Sequence, residues 1–260
     1  MKSFTVFFAL LISSPFVINT DEVLPYPDNS LYVEQYQMLG MPSPNEVWNA
    51  AEYKRAVKVI KGYYNVDKWS IPRKDSDYSG ALFERMTKIE NFEIIADKSE
   101  SIQERLREHD ELLRAVGQLM SMYIESNEAV QRFGAEGLAF RILSAKTSVY
   151  SIDVLKDLQL MMSDRGQRNS DLDLMTNKLM NGIPATIEEC LSVITGDYFQ
   201  YQSKDLEWFA QELSNWSGEM KDYLSEAQIV ILNKKLNLLK ETHPNESVKN
   251  AMSKMQGKLK

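Results

Sequence analysis

Oxygen-bearing side chains alternate at Asp75, Asp77 and Ser79, and Gly80 follows them. Hard oxygens at alternate positions, ahead of a glycine that permits a sharp turn, suit calcium, which gathers about six to eight oxygen ligands. Other catalytic or metal-binding groups are scarce. The chain holds 2 histidines and 1 cysteine, too few for a Cys-rich zinc site or an internal disulfide framework. No Glu-x-x-His spacing occurs, so a di-iron site of the bundle type is not expected. His109 falls among Leu106, Leu113 and Val116, where it reads as a neutral core residue or a pH-sensitive contact. His243 stands beside Pro244, at the expected end of a helix, where a cation suits the dipole. Cys190 shares a helical face with Ile187, Leu191 and Ile194 and reads as a buried, inert thiol.

The run Asp75-Ser76-Asp77-Tyr78-Ser79-Gly80-Ala81-Leu82 resembles an EF-hand calcium loop, with ligands at positions one, three and five, glycine at six and an apolar residue at eight. Position twelve, which supplies a bidentate Glu in that family, is Met86, and Glu84 stands at position ten. The resemblance therefore implies at most a weak calcium site closed by a distant carboxylate. The other reading is a polar turn in which Asp77 or Ser79 caps the following helix.

A second segment, Met122-Tyr123-Ile124-Glu125-Ser126 with Gly134-Ala135-Glu136-Gly137-Leu138 after it, resembles lytic transglycosylases. In that family a Glu-Ser pair at a helix end precedes a G-A-x-G-L segment. The resemblance implies that Glu125 is a general acid protonating a glycosidic oxygen. It spans Met122 to Leu138 only, and Phe140 stands where a Gln is expected. The alternative is that Ser126 or Asn127 caps a helix and the glycines serve packing.

Aromatic residues crowd between Tyr198 and Trp216. Phe209 and Trp216 fall on the apolar stripe of an expected helix and are assigned to the core. Tyr198, Tyr201 and Trp208 remain to line a binding groove. Asn215-Trp216-Ser217 and Asn245-Glu246-Ser247 would be glycosylation acceptors in a secreted eukaryotic chain.

The elements that must position these groups are helical. Ser43-Pro44-Asn45-Glu46 predicts a capped helix start and a helix to about Tyr64, with Val47, Ala50, Val57, Ile60 and Tyr64 inward. A second helix is expected over 80–96, with Leu82, Met86 and Ile89 inward. Ser101 and Glu104 form a capping box for a third, in which Ile102, Leu106, His109, Leu113, Val116, Met120 and Tyr123 recur as a heptad-like seam. A fourth begins near Asn127, its stripe of Gly134, Gly137 and Ser144 suited to close approach of another backbone. Four more follow, over 152–163, 172–180, 185–195 and 206–224, with Asn181-Gly182 and Pro184 read as a helix stop. Ser225 with Gln228 opens a ninth, which His243-Pro244 ends. Residues 245–260 are a Lys-rich tail that frames a short helix or frays. No alternating β-branched run occurs. The expected fold is all-α: an irregular multi-helix bundle of about eight or nine amphipathic helices without a sheet, over 44–244, with a sub-boundary near 166–170.

Compartment and partners follow from the ends and the charge. Lys2, the apolar run Phe4–Ile12 and the acidic pair Asp21-Glu22 form the pattern of a signal peptide over residues 1–20, which implies a secreted or periplasmic protein. Residues 21–43, with Pro25, Pro27 and Pro42, read as an extended arm. No segment has the roughly 20 apolar residues of a transmembrane helix. The 260 residues carry 30 basic and 37 acidic side chains, a net charge of −7, which argues against a duplex nucleic-acid binder. The function expected is therefore non-enzymatic binding or scaffolding of an envelope or extracellular protein partner through a groove between helices. Such a role calls for an exposed apolar patch of several hundred Å². The alternatives are a glycan-cleaving enzyme with Glu125 as acid, and a weak calcium module. No other cofactor is expected. A homodimer could bury the third helix's seam as readily as a neighbouring helix.

Overall fold

The computed structural model describes residues 40–66, 71–77, 79–92, 102–130, 134–164, 166, 170–196, 201 and 203–260. The signal segment 1–20, most of the arm, Ser101 and Tyr198 lie outside the described residues. Within them the chain is helical and has no strand. The helices are α1 (Ala50–Val66), α2 (Gly80–Met86), α3 (Ile102–Val130), α4 (Gly134–Ser163), α5 (Ser170–Gly196), α6 (Ser203–Met220), α7 (Glu226–Thr242) and α8 (Glu246–Leu259), with a 3-10 turn at Lys221–Tyr223. The multi-helix bundle expected from periodicity is the observed fold.

The architecture turns on α4, which has 30 residues and is about 45 Å long. Its apolar and small residues are distributed all round the helix, the pattern of a buried helix rather than a surface one. Leu138, Ile142, Val149, Ile152 and Leu155 enter one core, completed by α5 to α8. Ala139, Phe140 and Leu143 enter a second, completed by α1 to α3. Tyr150 and Trp208 pack against both. Ring contacts organise the second core: Tyr123 stacks on Phe140 at 4.9 Å, and Phe83 meets both edge-on at 5.6 and 5.7 Å.

Helix α3 continues past Ser126 and Asn127 to Val130, so the next helix begins at Gly134 and not near Asn127. Helix α4 then runs unbroken where two helices are expected. Thr147 and Ser148 donate their hydroxyls to the Ser144 carbonyl, and Ser151 donates to that of Thr147. The polar residues are thus absorbed within the helix instead of ending it. Helix α5 likewise runs through Asn181-Gly182 and Pro184. An interior proline costs about 3 kcal/mol. Ile183 and Ile187, both fully buried, contribute about 1.5–3 kcal/mol each and offset it, so burial overrides the local stop signal.

Two other ends differ from expectation, each for a local reason. Helix α1 begins at Ala50, not near Pro44. The Trp48 indole N–H donates to the Ser43 carbonyl at 2.7 Å and the Trp48 backbone N–H to Asn91 Oδ1 at 3.1 Å, holding this segment out of helix. The working capping box is Asn49 with Glu52, each side chain accepting from the other's backbone N–H at 2.9 Å. Val47 is exposed rather than inward. Helix α2 stops at Met86 because its last carbonyls find other donors: the Tyr53 hydroxyl reaches Met86 O at 2.7 Å and Asn91 Nδ2 reaches Arg85 O at 2.8 Å.

Helix α3 packs against both α1 and α4. Its buried arc is therefore rotated from the expected seam: Leu112 and Leu119 are fully buried, while Leu113 and Met120 are half-buried. Of the seam residues whose burial is described, His109, Val116 and Tyr123 are buried within the chain. The Lys-rich tail forms α8, capped by Asn245 Oδ1, which accepts from the N–H groups of Ser247 and Val248. It buries Val248, Ala251, Met252, Met255 and Leu259. Asn245 Nδ2 also donates to Ser203 Oγ and Glu207 Oε1, both at 2.7 Å, pinning the start of α8 to the start of α6.

Candidate functional site

Two surface features stand out by shape and chemistry. The first is a cleft of about 230 Å³ where the two cores meet, lined by Ile89, Val149, Tyr150, Asp153, Trp216 and Glu219. Helix α4 supplies Val149, Tyr150 and Asp153 at spacings that place them on adjoining faces. Helix α6 supplies Trp216 and Glu219, three residues apart and thus neighbours on one side. The Tyr223 hydroxyl donates to Asp153 Oδ1 at 2.5 Å, fixing that carboxylate at the rim. Burial pushes the Tyr223 phenol well above its usual range, and the hydrogen bond to Asp153 and the charges of Asp153, Asp222 and Glu219 add to the shift. Lysines lie over the cleft's own Trp216 ring and the adjacent Tyr223 ring: Lys146 Nζ is 5.2 Å from the Trp216 centroid and Lys156 Nζ 4.6 Å from that of Tyr223.

The second feature is the outer face of α7. Its inner face buries Leu232, Leu236 and Leu239. Its outer face exposes Val230 at 53%, Ile231 at 49% and Leu238 at 53%, with Ala227 and Lys234 among them. At 100° per residue these five fall within one arc opposite the buried leucines. A capping box fixes the helix start: the Ser225 N–H donates to Gln228 Oε1 at 2.8 Å and the Gln228 N–H returns to Ser225 Oγ at 3.4 Å.

The residues singled out in the sequence scatter around these features. Trp208 is half-buried, with Lys74 Nζ 4.4 Å from its ring centroid, and Tyr201 packs against the first core. The ring that lines the cleft is Trp216, a residue that the apolar stripe assigns to the core. Its half-burial follows from its place at the edge of that stripe, a distinction that the periodicity alone does not make.

The Asp75–Ser79 loop is held by other contacts. Asp75 and Asp77 are exposed, Asp75 lying 3.8 Å from Lys204. Ser79 Oγ accepts from the Arg73 N–H at 2.9 Å, and the Gly80 N–H donates to Ser76 O at 2.8 Å. Among the described residues no three His, Cys, Asp or Glu side chains group to hold a metal ion. Gly80 leaves little room for a side chain: a β-carbon there would sit 3.1 Å from the Lys74 carbonyl.

Glu125 is exposed near the end of α3, where it accepts a 2.6 Å hydrogen bond from the Tyr64 hydroxyl. It lines neither this cleft nor the smaller cavity beside Glu84 and Lys88. The Gly134–Leu138 segment is the first turn of α4, and its Glu136 is buried. No β-carbon at Gly137 would touch a neighbour, so the expected close backbone approach does not occur there.

Cys190 is buried, and desolvation pushes its thiol up to about 12. His109 is 2% exposed, and neither ring nitrogen has a hydrogen-bond partner among the described residues. Burial drives its pKa down to about 4, against a small opposing pull from Asp110. His243 is buried and accepts from the Asn245 N–H through Nδ1 at 3.1 Å. Among the described residues no helix is long and apolar enough to cross a membrane.

No family model, curated protein or solved structure matches this chain.

Proposed function

We propose that this chain is an exported, non-enzymatic helical binding protein that docks a helix of an envelope or secreted protein partner on the outer face of α7. The observation that carries the reading is the exposure of Val230, Ile231 and Leu238 together on one arc of a helix whose opposite arc is fully buried. Ile231 and Leu238, seven residues apart with Val230 beside them, make an apolar stripe of the kind helix-on-helix recognition uses. Each of the three side chains is already about half covered, so completing their burial yields about 1 kcal/mol apiece. A total near 3 kcal/mol is below the roughly 4 kcal/mol of a millimolar complex. The face therefore anchors a larger contact that includes polar rim residues, Lys234 among them, and favours an acidic group opposite that lysine.

The test is Ile231→Asp combined with Leu238→Asp in the full chain. Both positions are exposed, so the melting curve and helical circular dichroism should be unchanged. Co-purification of the partner from the native host should be lost. Retention of the same partner by the double variant would overturn the proposal.

A further inference from the structure

The cleft at the junction of the two cores has a chemistry separate from that of the α7 face. We propose that Tyr150, Asp153, Trp216 and Glu219 form a receptor site for an alkylammonium group, such as the end of a lysine side chain carried by a ligand. Three properties support it.

The first is composition. Two aromatic rings and two carboxylates converge on one cavity, with Val149 and Ile89 completing its apolar wall. A ring face attracts a cation through its quadrupole, while an apolar wall covers the alkyl arm. The second is size. At about 230 Å³ the cleft is smaller than pockets for drug-sized ligands, which run from roughly 300 to 1,000 Å³. It matches one side chain rather than a nucleotide or a sugar chain.

The third is charge. Asp153 and Glu219 enter no ion pair among the described residues. Asp153 is positioned by the Tyr223 hydroxyl through one oxygen, and a carboxylate retains further lone pairs for a second donor. Of the flanking cations, Lys146 Nζ bonds Glu212 at 3.1 Å while lying 5.2 Å from the Trp216 centroid, and Lys156 lies over Tyr223. Those same lysines show that rings on this side of the molecule hold ammonium groups against their faces. The Tyr223 phenol is raised first by burial, then by its hydrogen bond to Asp153, and the charges of Asp153, Asp222 and Glu219 add to the shift.

The experiment is an NMR titration of the isotope-labelled full chain with n-butylammonium chloride. Parallel titrations use n-butanol, which has the same alkyl arm without charge, and sodium chloride. Butylammonium is expected to shift the Val149 and Tyr150 amides and the Trp216 indole N–H saturably, and the two controls are expected to leave them in place. Asp153→Asn and Glu219→Gln, both at exposed positions, should fold normally and each weaken binding by about tenfold. Equal shifts with butanol or sodium chloride would overturn the proposal. So would an unchanged titration in both variants, or no response to butylammonium.

Discussion

Arg73 Nε lies 2.9 Å from Glu136 Oε1, an ion pair that ties the loop before α2 to the first turn of α4 across 63 residues. The same oxygen accepts the Lys74 backbone N–H at 2.9 Å. Glu136 is 2% exposed, so its charge is held by these partners rather than by water. The next residue after Arg73 extends the link: Lys74 Nζ covers the Trp208 ring on α6. Asp205 stands nearby, and desolvation holds its carboxyl above the usual range against the pull of Lys74 and Lys204. One short loop thus fastens the helices of both cores.

Glu136→Ala is expected to cost about 3 kcal/mol in chemical denaturation, since Arg73 Nε and the Lys74 N–H would both lose the buried acceptor they share. The double variant with Arg73→Ala should cost less than the two single variants summed. A single-variant loss below about 1 kcal/mol would show that the pair is solvated and weak.

Two glycines should respond in opposite directions. Gly117 lies inside α3, and a β-carbon there would meet nothing within 4 Å. Gly117→Ala should therefore stabilise by about 0.5–1 kcal/mol through reduced unfolded-state entropy. Gly80→Ala should destabilise, because the Lys74 carbonyl at 3.1 Å is backbone and cannot step aside cheaply. Thermal melts of both variants decide it.

His109 is expected to make stability pH-dependent. Its folded pKa of about 4 lies below the ordinary histidine value of 6.5. The unfolded chain therefore binds more protons than the folded one between those values, and stability rises with pH there. The contribution is fully present above about pH 6.5 and is lost as pH falls through about 4. His109→Leu should flatten the stability slope in that window while leaving the protein folded at pH 7. An unchanged slope would assign the acid sensitivity to carboxylates instead.

Asn245 carries both the cap of α8 and the link to α6. Asn245→Ala should lower stability by about 1–2 kcal/mol, a cap loss at the upper end of the usual range. A negligible change would mean that the apolar face of α8 suffices to dock it.

The all-α architecture was legible because 3.6-residue periodicity is strong in α1, α3, α6 and α8, whose inward residues Ala50, Val57, Val116, Leu206 and Met252 are all buried. The capping box at Ser225 and Gln228 also forms as its spacing implies. Local stop signals mislead where tertiary burial outweighs them. Asn181-Gly182 and Pro184 sit inside α5, and serines at 144, 148 and 151 sit inside α4. Such outcomes depend on what covers a helix, which spacing along one chain does not encode. The Ser43–Glu46 cap is displaced for the same reason, by Trp48 reaching Asn91 across the fold.

The cleft was harder to foresee than the fold. Tyr150, Asp153, Trp216 and Glu219 come from two helices some 60 residues apart, and nothing in either segment marks them as partners. The outer face of α7 carries a visible signal: Val230 and Ile231 break the polar side of an otherwise regular pattern. Exposed apolar residues in excess of what one buried face requires are what the proposed docking role rests on.

Docking of a protein partner on the outer face of α7 is tested most directly by site-specific photo-crosslinking in the native host. The photoreactive residue is placed at 231 or 238 of the full chain, and at exposed Asp157 on α4 as control. One discrete protein adduct is expected at 231 and 238, absent at 157 and abolished by Val230→Asp. Adducts no stronger at 231 and 238 than at 157 would contradict a docking role for this face.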